Sequence, residues 1–240
     1  MIESNIDDIR PLHPSKILFE DNHLLVVNKA AGELVQGDAT GDVSLLEEAK
    51  AYIKHKYKKP GAVYLAVVHR LDRPTSGAVI FARTSKAAAR MSEMFKKRDL
   101  DKTYWALVRN LPQTDEGTLT HYLKKNTKNN RSHASLKEKP GYKKAVLHYK
   151  LRAHGDRYVL LEIKLETGRH HQIRAQLAAI GSPIKGDLKY GADRSNDDGS
   201  ISLHARRLSF MHPVKKEPVK IVAPVPKDHL WLHFEQFLKS

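Results

Sequence analysis

Residues 65–83 read Leu65-Ala-Val-Val-His69-Arg70-Leu71-Asp72-Arg73-Pro74-Thr75-Ser76-Gly77-Ala-Val-Ile-Phe81-Ala-Arg83. Tyr64 to Val68 and Ala78 to Phe81 are apolar runs rich in Val and Ile, the composition of buried strands, and Pro74 and Gly77 force a turn between them. One carboxylate, Asp72, sits in that turn between Arg70 and Arg73. Arginines this close favour the ionised form of a carboxyl group, so the turn is expected to present an anion rimmed by positive charge. A loop aspartate paired with its neighbour is the plainer reading, because structural ion pairs have the same composition.

Working outward, Ile17 to Glu20 and Leu24 to Val27 are strand-like runs separated by Asp21-Asn22-His23, and Lys29 to Gly32 opens a loop. Ser44 with Glu47 forms a capping box ahead of Leu45, Leu46, Ala49, Ile53 and Tyr57, whose spacing predicts a helix stopped by Pro60-Gly61. Thr84 or Ser85 can cap a second helix with Ala87, Ala88, Met91, Met94 and Phe95 on one face. Lys102 to Val108 alternates as a strand, placing Tyr104, Ala106 and Val108 on one face and Thr103, Trp105 and Leu107 on the other. Gly117 to Leu123, Lys144 to Leu151 and Tyr158 to Glu166 read as further strands, several of them antiparallel because the connections are short. The lysine-rich segment 124–143 has few apolar residues and is expected to be a mobile loop.

Gln172 to Ile180 reads as a short helix ended by Gly181, with Arg169 and Arg174 at or near its start, where an anion is favoured. His170-His171 is a poor metal pair, since adjacent side chains on a helix diverge. His69 is expected to support its loop by a hydrogen bond. Leu203, Ala205 and Leu208 suggest a buried strand, and Asp228 caps a last helix with Leu230, Trp231, Phe234, Phe237 and Leu238 as its apolar face.

The chain of 240 residues is 40% hydrophobic and 29% charged, as a globular protein should be. It has no cysteine, which removes disulfides and thiol chemistry and fits a reducing compartment. The N-terminus is acidic with no apolar leader, and no stretch approaches the roughly 20 apolar residues that span a bilayer, so a cytoplasmic protein without membrane contact is expected. Residues 1–50 carry 4 Lys/Arg against 10 Asp/Glu, whereas residues 121–150 carry 9 basic residues against one glutamate. The second stretch holds +8 of the net +15, a concentration suited to phosphate backbones, with Lys124, Lys125 and Lys128 as RNA-binding candidates. There is no GxGxxG, GxxxxGK[ST], GxSxG or Cys/His metal set, so neither cofactor nor metal is expected.

The string His69-Arg70-Leu71-Asp72-Arg73-Pro74-Thr75-Ser76-Gly77 resembles the active-site motif HRLDxxTSG of the RluA family of RNA pseudouridine synthases. Lys102-Thr-Tyr104-Trp-Ala-Leu-Val108 follows in the family's order. So do Gly168-Arg169-His170-His171-Gln172-Ile173-Arg174, continuing to Pro183-Ile-Lys-Gly186-Asp187, and Leu203-His204-Ala205. The resemblance spans roughly residues 17–222. It implies an α+β pseudouridine synthase fold: a bent, mainly antiparallel mixed sheet with flanking helices and a central cleft. The whole of 1–240 is expected to be one catalytic domain and a monomer, without the N-terminal S4-like domain that many members carry.

The resemblance further implies that uridines in ribosomal or transfer RNA are isomerised with Asp72 as nucleophile. Tyr104 matches the residue that stacks on the target base and is a candidate to remove the C5 proton. Arg174 matches the arginine that pairs with the aspartate, and Arg70 the residue that fills the gap left by the flipped uridine. Leu203 is expected to form an apolar floor under the ring, and Arg73 and Arg169 to meet RNA phosphate. Two other functions use the same inventory: a basic cleft that holds RNA without chemistry, and a hydrolase of glycosidic bonds.

Overall fold

The computed structural model describes residues 6–238, and its chain divides into two compact units. One comprises Met1–Leu100 and Arg207–Pro224, the other Asp101–Arg206 and Val225–Ser240. In chain order the first contains β1 (Ile17–Glu20), β2 (Leu24–Lys29), α1 (Leu45–Lys56), β3 (Ala66–Val67), β4 (Ser76–Ala82) and α2 (Ser85–Lys97). The second contains β5 (Asp101–Val108), β6 (Glu116–Asn126), β7 (Arg131–Ser135), β8 (Lys143–His154), β9 (Val159–Leu165) and α3 (Gln172–Ala179). Strand β10 (Leu203–Met211) begins in the second unit and ends in the first, β11 (Pro218–Val222) belongs to the first, and α4 (His229–Phe237) to the second. Antiparallel strands with four helices among the described residues make this an α+β protein.

In the first unit β2 pairs antiparallel with β1 and β4, and β3 also pairs with β4. Every residue of β4 is buried, which is why its sequence is a continuous apolar run with no alternation. Ala78, Ile80 and Ala82 pack with Leu24, Val26, Ala87 and Met91, so α2 covers that face. The expected strand at 64–68 shrinks to Ala66–Val67, since the chain there is already bending into the Asp72 turn. Helix α1 starts as its capping box dictates: the Ser44 side chain accepts from Glu47 N, and Ser44 N donates to Glu47 Oε2 at 2.8 Å. Thr84 caps α2 by accepting from Ala87 N at 3.2 Å.

In the second unit β5 pairs with β9, β9 with β8, β8 with β6 and β6 with β7, all antiparallel. The two faces of β5 serve two cores. Ala106 and Val108 pack with Ile173 and Leu177 of α3, while Trp105 and Leu107 pack with Trp231 and Phe234 of α4. Each fully buried Leu or Phe contributes about 1.5–3 kcal/mol, so this strand is clamped from both sides, and the residues at its start inherit that rigidity.

Two expectations are corrected. Segment 124–135 is not a mobile loop, and only 136–142 connects strands as a loop: Lys124 and Lys125 lie on β6, where they pair with His133 and Ser132 of β7, and Lys128 sits in the connecting turn. Backbone ladder bonds and a few small inward residues, Ser132 among them, replace the apolar side chains that the sequence lacks. His170 and His171 do not diverge either. His171 precedes α3 in the left-handed region (φ 51°), and the two rings stack at 3.8 Å.

Candidate active site

Asp72 stands half-buried in the turn between β3 and β4. Thr75 N donates to Asp72 O at 3.0 Å, which closes the turn, and Gly77 follows at φ 118°, a conformation that suits glycine. His69 steadies the approach: its Nε2 accepts from Ile80 N at 2.9 Å, and its ring stacks on Phe95 at 4.6 Å.

The turn is held from beneath by Lys29, which ends β2 where the sequence pattern predicts the start of a loop. Its side chain is 1% exposed, and Nζ donates to Ala30 O at 3.0 Å, Arg73 O at 2.9 Å and Thr75 O at 2.7 Å. An ammonium has three protons, and here all three meet carbonyls, two of which follow Asp72 closely in sequence. Burial pushes the Lys29 ammonium down to about 8, against the pull of the Glu33 and Asp72 carboxylates. A lone lysine closing the apolar run Leu24-Leu-Val-Val-Asn-Lys29 was the available signal.

Arg70 is exposed. Arg73 turns over the preceding loop, where Nε donates to Gly32 O at 2.9 Å and Nη2 to Asp42 Oδ2 at 2.7 Å. Gly32 N donates back to Arg73 O at 2.8 Å. The expected positive rim is therefore partly engaged by an acid thirty-one residues upstream.

In the second unit Arg174 points from the first turn of α3 and is 5% exposed. Asp187, 1% exposed, grips it in two places, accepting from Nε at 2.7 Å and from Nη2 at 2.9 Å. Such a bidentate pair fixes both position and plane of a guanidinium. Nη1 approaches His171 Nε2 at 3.1 Å, and the Tyr190 ring lies 5.1 Å away. Asp187 falls in the Gly-Asp that follows Pro183-Ile-Lys, so it was in view, but nothing in its spacing linked it to Arg174.

Tyr104 enters β5 half-buried and packs on the same cluster as Ala106, Val108 and Leu203, which is itself 4% exposed. Tyr104 and Leu203 are thus neighbours of one apolar face. Arg169 spends Nε on Lys144 O at 3.1 Å. Lys124, Lys125 and Lys128 are exposed along one arm and the tip of the β6–β7 hairpin. Among the described residues no three His, Cys, Asp or Glu side chains are grouped to hold a metal ion, and no helix is long and apolar enough to cross a membrane.

The family model for RNA pseudouridylate synthase matches residues 23–179. The chain is 37% identical over 215 residues to the uncharacterized RNA pseudouridine synthase YhcT of Bacillus subtilis, covering 88% of this chain and 69% of that protein. It is 36% identical over 229 residues to ribosomal large subunit pseudouridine synthase D of Xylella fastidiosa, covering 90% and 67%. With tRNA pseudouridine synthase C of Vibrio vulnificus it shares 32% identity over 242 residues, 92% of this chain and 95% of that one. Among solved structures, human RNA pseudouridylate synthase domain containing 4 superposes with a TM-score of 0.76 at 23% identity, covering 94% of this chain and 93% of the other, a likeness of fold.

Proposed function

The chain belongs to the RNA pseudouridylate synthase family, and on that premise we propose that it isomerises specific uridines in structured ribosomal or transfer RNA, with Asp72 as nucleophile and no cofactor. The observation that carries the assignment of Asp72 is the Lys29 cap, whose bonds to Arg73 O and Thr75 O fix the backbone just beyond it. A turn pinned in this way presents its carboxylate in one place, which is what a nucleophile requires.

The reaction moves few atoms. The bond from ribose C1′ to uracil N1 breaks, the base turns within the site, and C1′ rejoins the ring at C5. The C5 proton leaves and N1 takes one up, so no oxidant, reductant or leaving group is consumed. Asp72 supplies the anion that adds transiently to the nucleotide. Tyr104, on its clamped strand beside Leu203, supplies a flat face for the base and a phenol for the proton. Arg174 supplies fixed positive charge.

A uridine inside a helix is out of reach, so the substrate is a base splayed from a loop or flipped from a stem, with Arg70 filling the gap. The exposed lysines of the β6–β7 hairpin, together with Arg73 and Arg169, meet the phosphates. The same reading makes the chain a single catalytic domain, working as a monomer in the cytoplasm.

RNA tritiated at uridine C5 tests the reading. The protein should release tritium to water from ribosomal or transfer RNA transcripts, and Asp72→Asn should abolish release while RNA affinity stays within about threefold. Background counts from both RNA classes would leave a binding protein, and free uracil would indicate a hydrolase. Either result overturns the proposal.

A further inference from the structure

Tyr190 is buried, 4% exposed, just after the turn that delivers Asp187. Its hydroxyl oxygen lies 2.7 Å from Ser132 N on β7 and 3.0 Å from His171 Nδ1. Its ring has one guanidinium on the β7 side, Arg131 at 5.0 Å, and another on the α3 side, Arg174 at 5.1 Å. Tyr190 N donates to Asp187 O at 3.0 Å, so the residue that grips Arg174 and the ring that faces it share one tight turn.

Counting protons orders the cluster. A guanidinium only donates, so at 3.1 Å from Arg174 Nη1 the His171 Nε2 atom presents its lone pair. The neutral imidazole then carries its proton on Nδ1 and donates to the Tyr190 oxygen. Ser132 N–H donates to that same oxygen. One phenol oxygen therefore joins the backbone of the basic hairpin to the imidazole that receives Arg174. A second seam runs alongside: Ser132 Oγ donates to His170 O at 2.8 Å, His170 Nε2 meets Asn130 Oδ1 at 3.1 Å, and the His170 and His171 rings stack.

We propose that Tyr190 is a positioning residue for Arg174, acting through His171, and that its hydroxyl ties the active-site arginine to the backbone of the β6–β7 hairpin. The inference rests on the reading of Arg174 as a catalytic group. Asp187 fixes two of the guanidinium nitrogens, and His171 Nε2 meets the third. His171 lies just outside the helix in the left-handed region, and its ring is placed by its side-chain contacts. The Tyr190 hydroxyl, held by Ser132 N, orients the ring together with the stacked His170. A hairpin whose exposed side carries Lys124, Lys125 and Lys128 thus ends on its buried side at Arg174. RNA drawn to the hairpin and the charge used in the reaction share one hydrogen-bonded frame.

Tyr190→Phe removes the oxygen and keeps the ring between its two guanidiniums. With C5-tritiated ribosomal and transfer RNA under saturating protein, the release rate should fall about 10- to 100-fold, the range in which small misplacements of a reacting group act. The protein concentration for half-maximal rate should move less than twofold, and the Ser132 amide should exchange faster with deuterium. In an Arg174→Lys background, Tyr190→Phe should cost no more than about twofold further, because the arginine through which it acts is already gone. Full loss again in that background, or wild-type rate in Tyr190→Phe alone, overturns the proposal. If Tyr190→Phe does not fold, His171→Gln in the same pair of backgrounds reads the same link and is expected to show the same non-additivity. Arg174→Lys at the wild-type rate would instead overturn the reading of Arg174 itself.

Discussion

Raising the pH through 8 should make this protein more stable and less active at once, and Lys29 is the reason. Its ammonium is buried under the Asp72 turn and pushed down to about 8 from an ordinary value near 10.5. At pH 7 the folded and unfolded chains both hold the proton. Between 8 and 10.5 the unfolded chain still holds it while the folded chain has released it, so unfolding takes up a proton and stability rises with pH. The cost of burying a charge is being relieved. Between about pH 7 and about pH 9.5 the integrated gain is about 2 kcal/mol.

Function should move the other way. A neutral amine has two protons and a lone pair facing three carbonyls at 2.7–3.0 Å, so one carbonyl of the turn loses its donor and meets a repulsive electron pair. If the fixed turn requires the ammonium, the tritium-release rate at about pH 9.5 should be about 30-fold below its plateau, the fraction still protonated. Lys29→Met supplies the reference, being uncharged at every pH. Urea unfolding of the two proteins at several pH values should show wild type gaining on the variant by about 2 kcal/mol, while the variant's low activity lacks the alkaline fall. A flat stability difference would show that the ammonium is not held where it is described. An alkaline fall persisting in Lys29→Met would assign it to another group.

The turn ahead of Asp187 makes a second, purely steric prediction: Gly186→Ala would place a methyl 2.7 Å from Ser200 O at φ 86° and should lower thermal stability by about 2–4 kcal/mol, whereas Gly191→Ala, at φ 96° with nothing near, should cost about 1 kcal/mol. Equal shifts in the melting temperature of the two variants would show that the close approach is relieved elsewhere. Changing Lys124, Lys125 and Lys128 together to Ala should weaken RNA binding and flatten the slope of log K against log salt by about 2, at about 0.7 per phosphate contact on single strands. An unchanged slope in a fluorescence titration would mark the hairpin as solvated surface.

What was legible in the sequence follows from what hydrophobic periodicity can encode. The Asp72 turn stood out because two apolar strands must be joined there and only Pro74 and Gly77 let the chain reverse. The two faces of β5 read correctly from alternation, since Ala106 and Trp105 really do enter different cores. The capping box at Ser44 read correctly because its donor and acceptor are three residues apart. Lys29, Asp187 and Tyr190 did not read, and all three fail for one reason: their partners are polar groups distant in sequence. Lys29 bonds two carbonyls 44 and 46 residues away, and a carbonyl belongs to every residue, so no side-chain pattern announces it.

Gly117 to Leu123 read correctly as a strand, but the end of β6 and all of β7 were missed on the same ground. The inner side of this hairpin is lined by residues such as Ser132, buried by hydrogen bonding to Tyr190 and His170 and not by apolar contact. A composition reading scores such a segment as loop, although an unmet Ser132 amide in the interior would cost about 1–3 kcal/mol. Buried polar groups tolerate only geometries that satisfy them, so a lysine-rich stretch with one buried serine can be as firmly placed as an apolar strand, and the residues that satisfy it are the ones to examine for function.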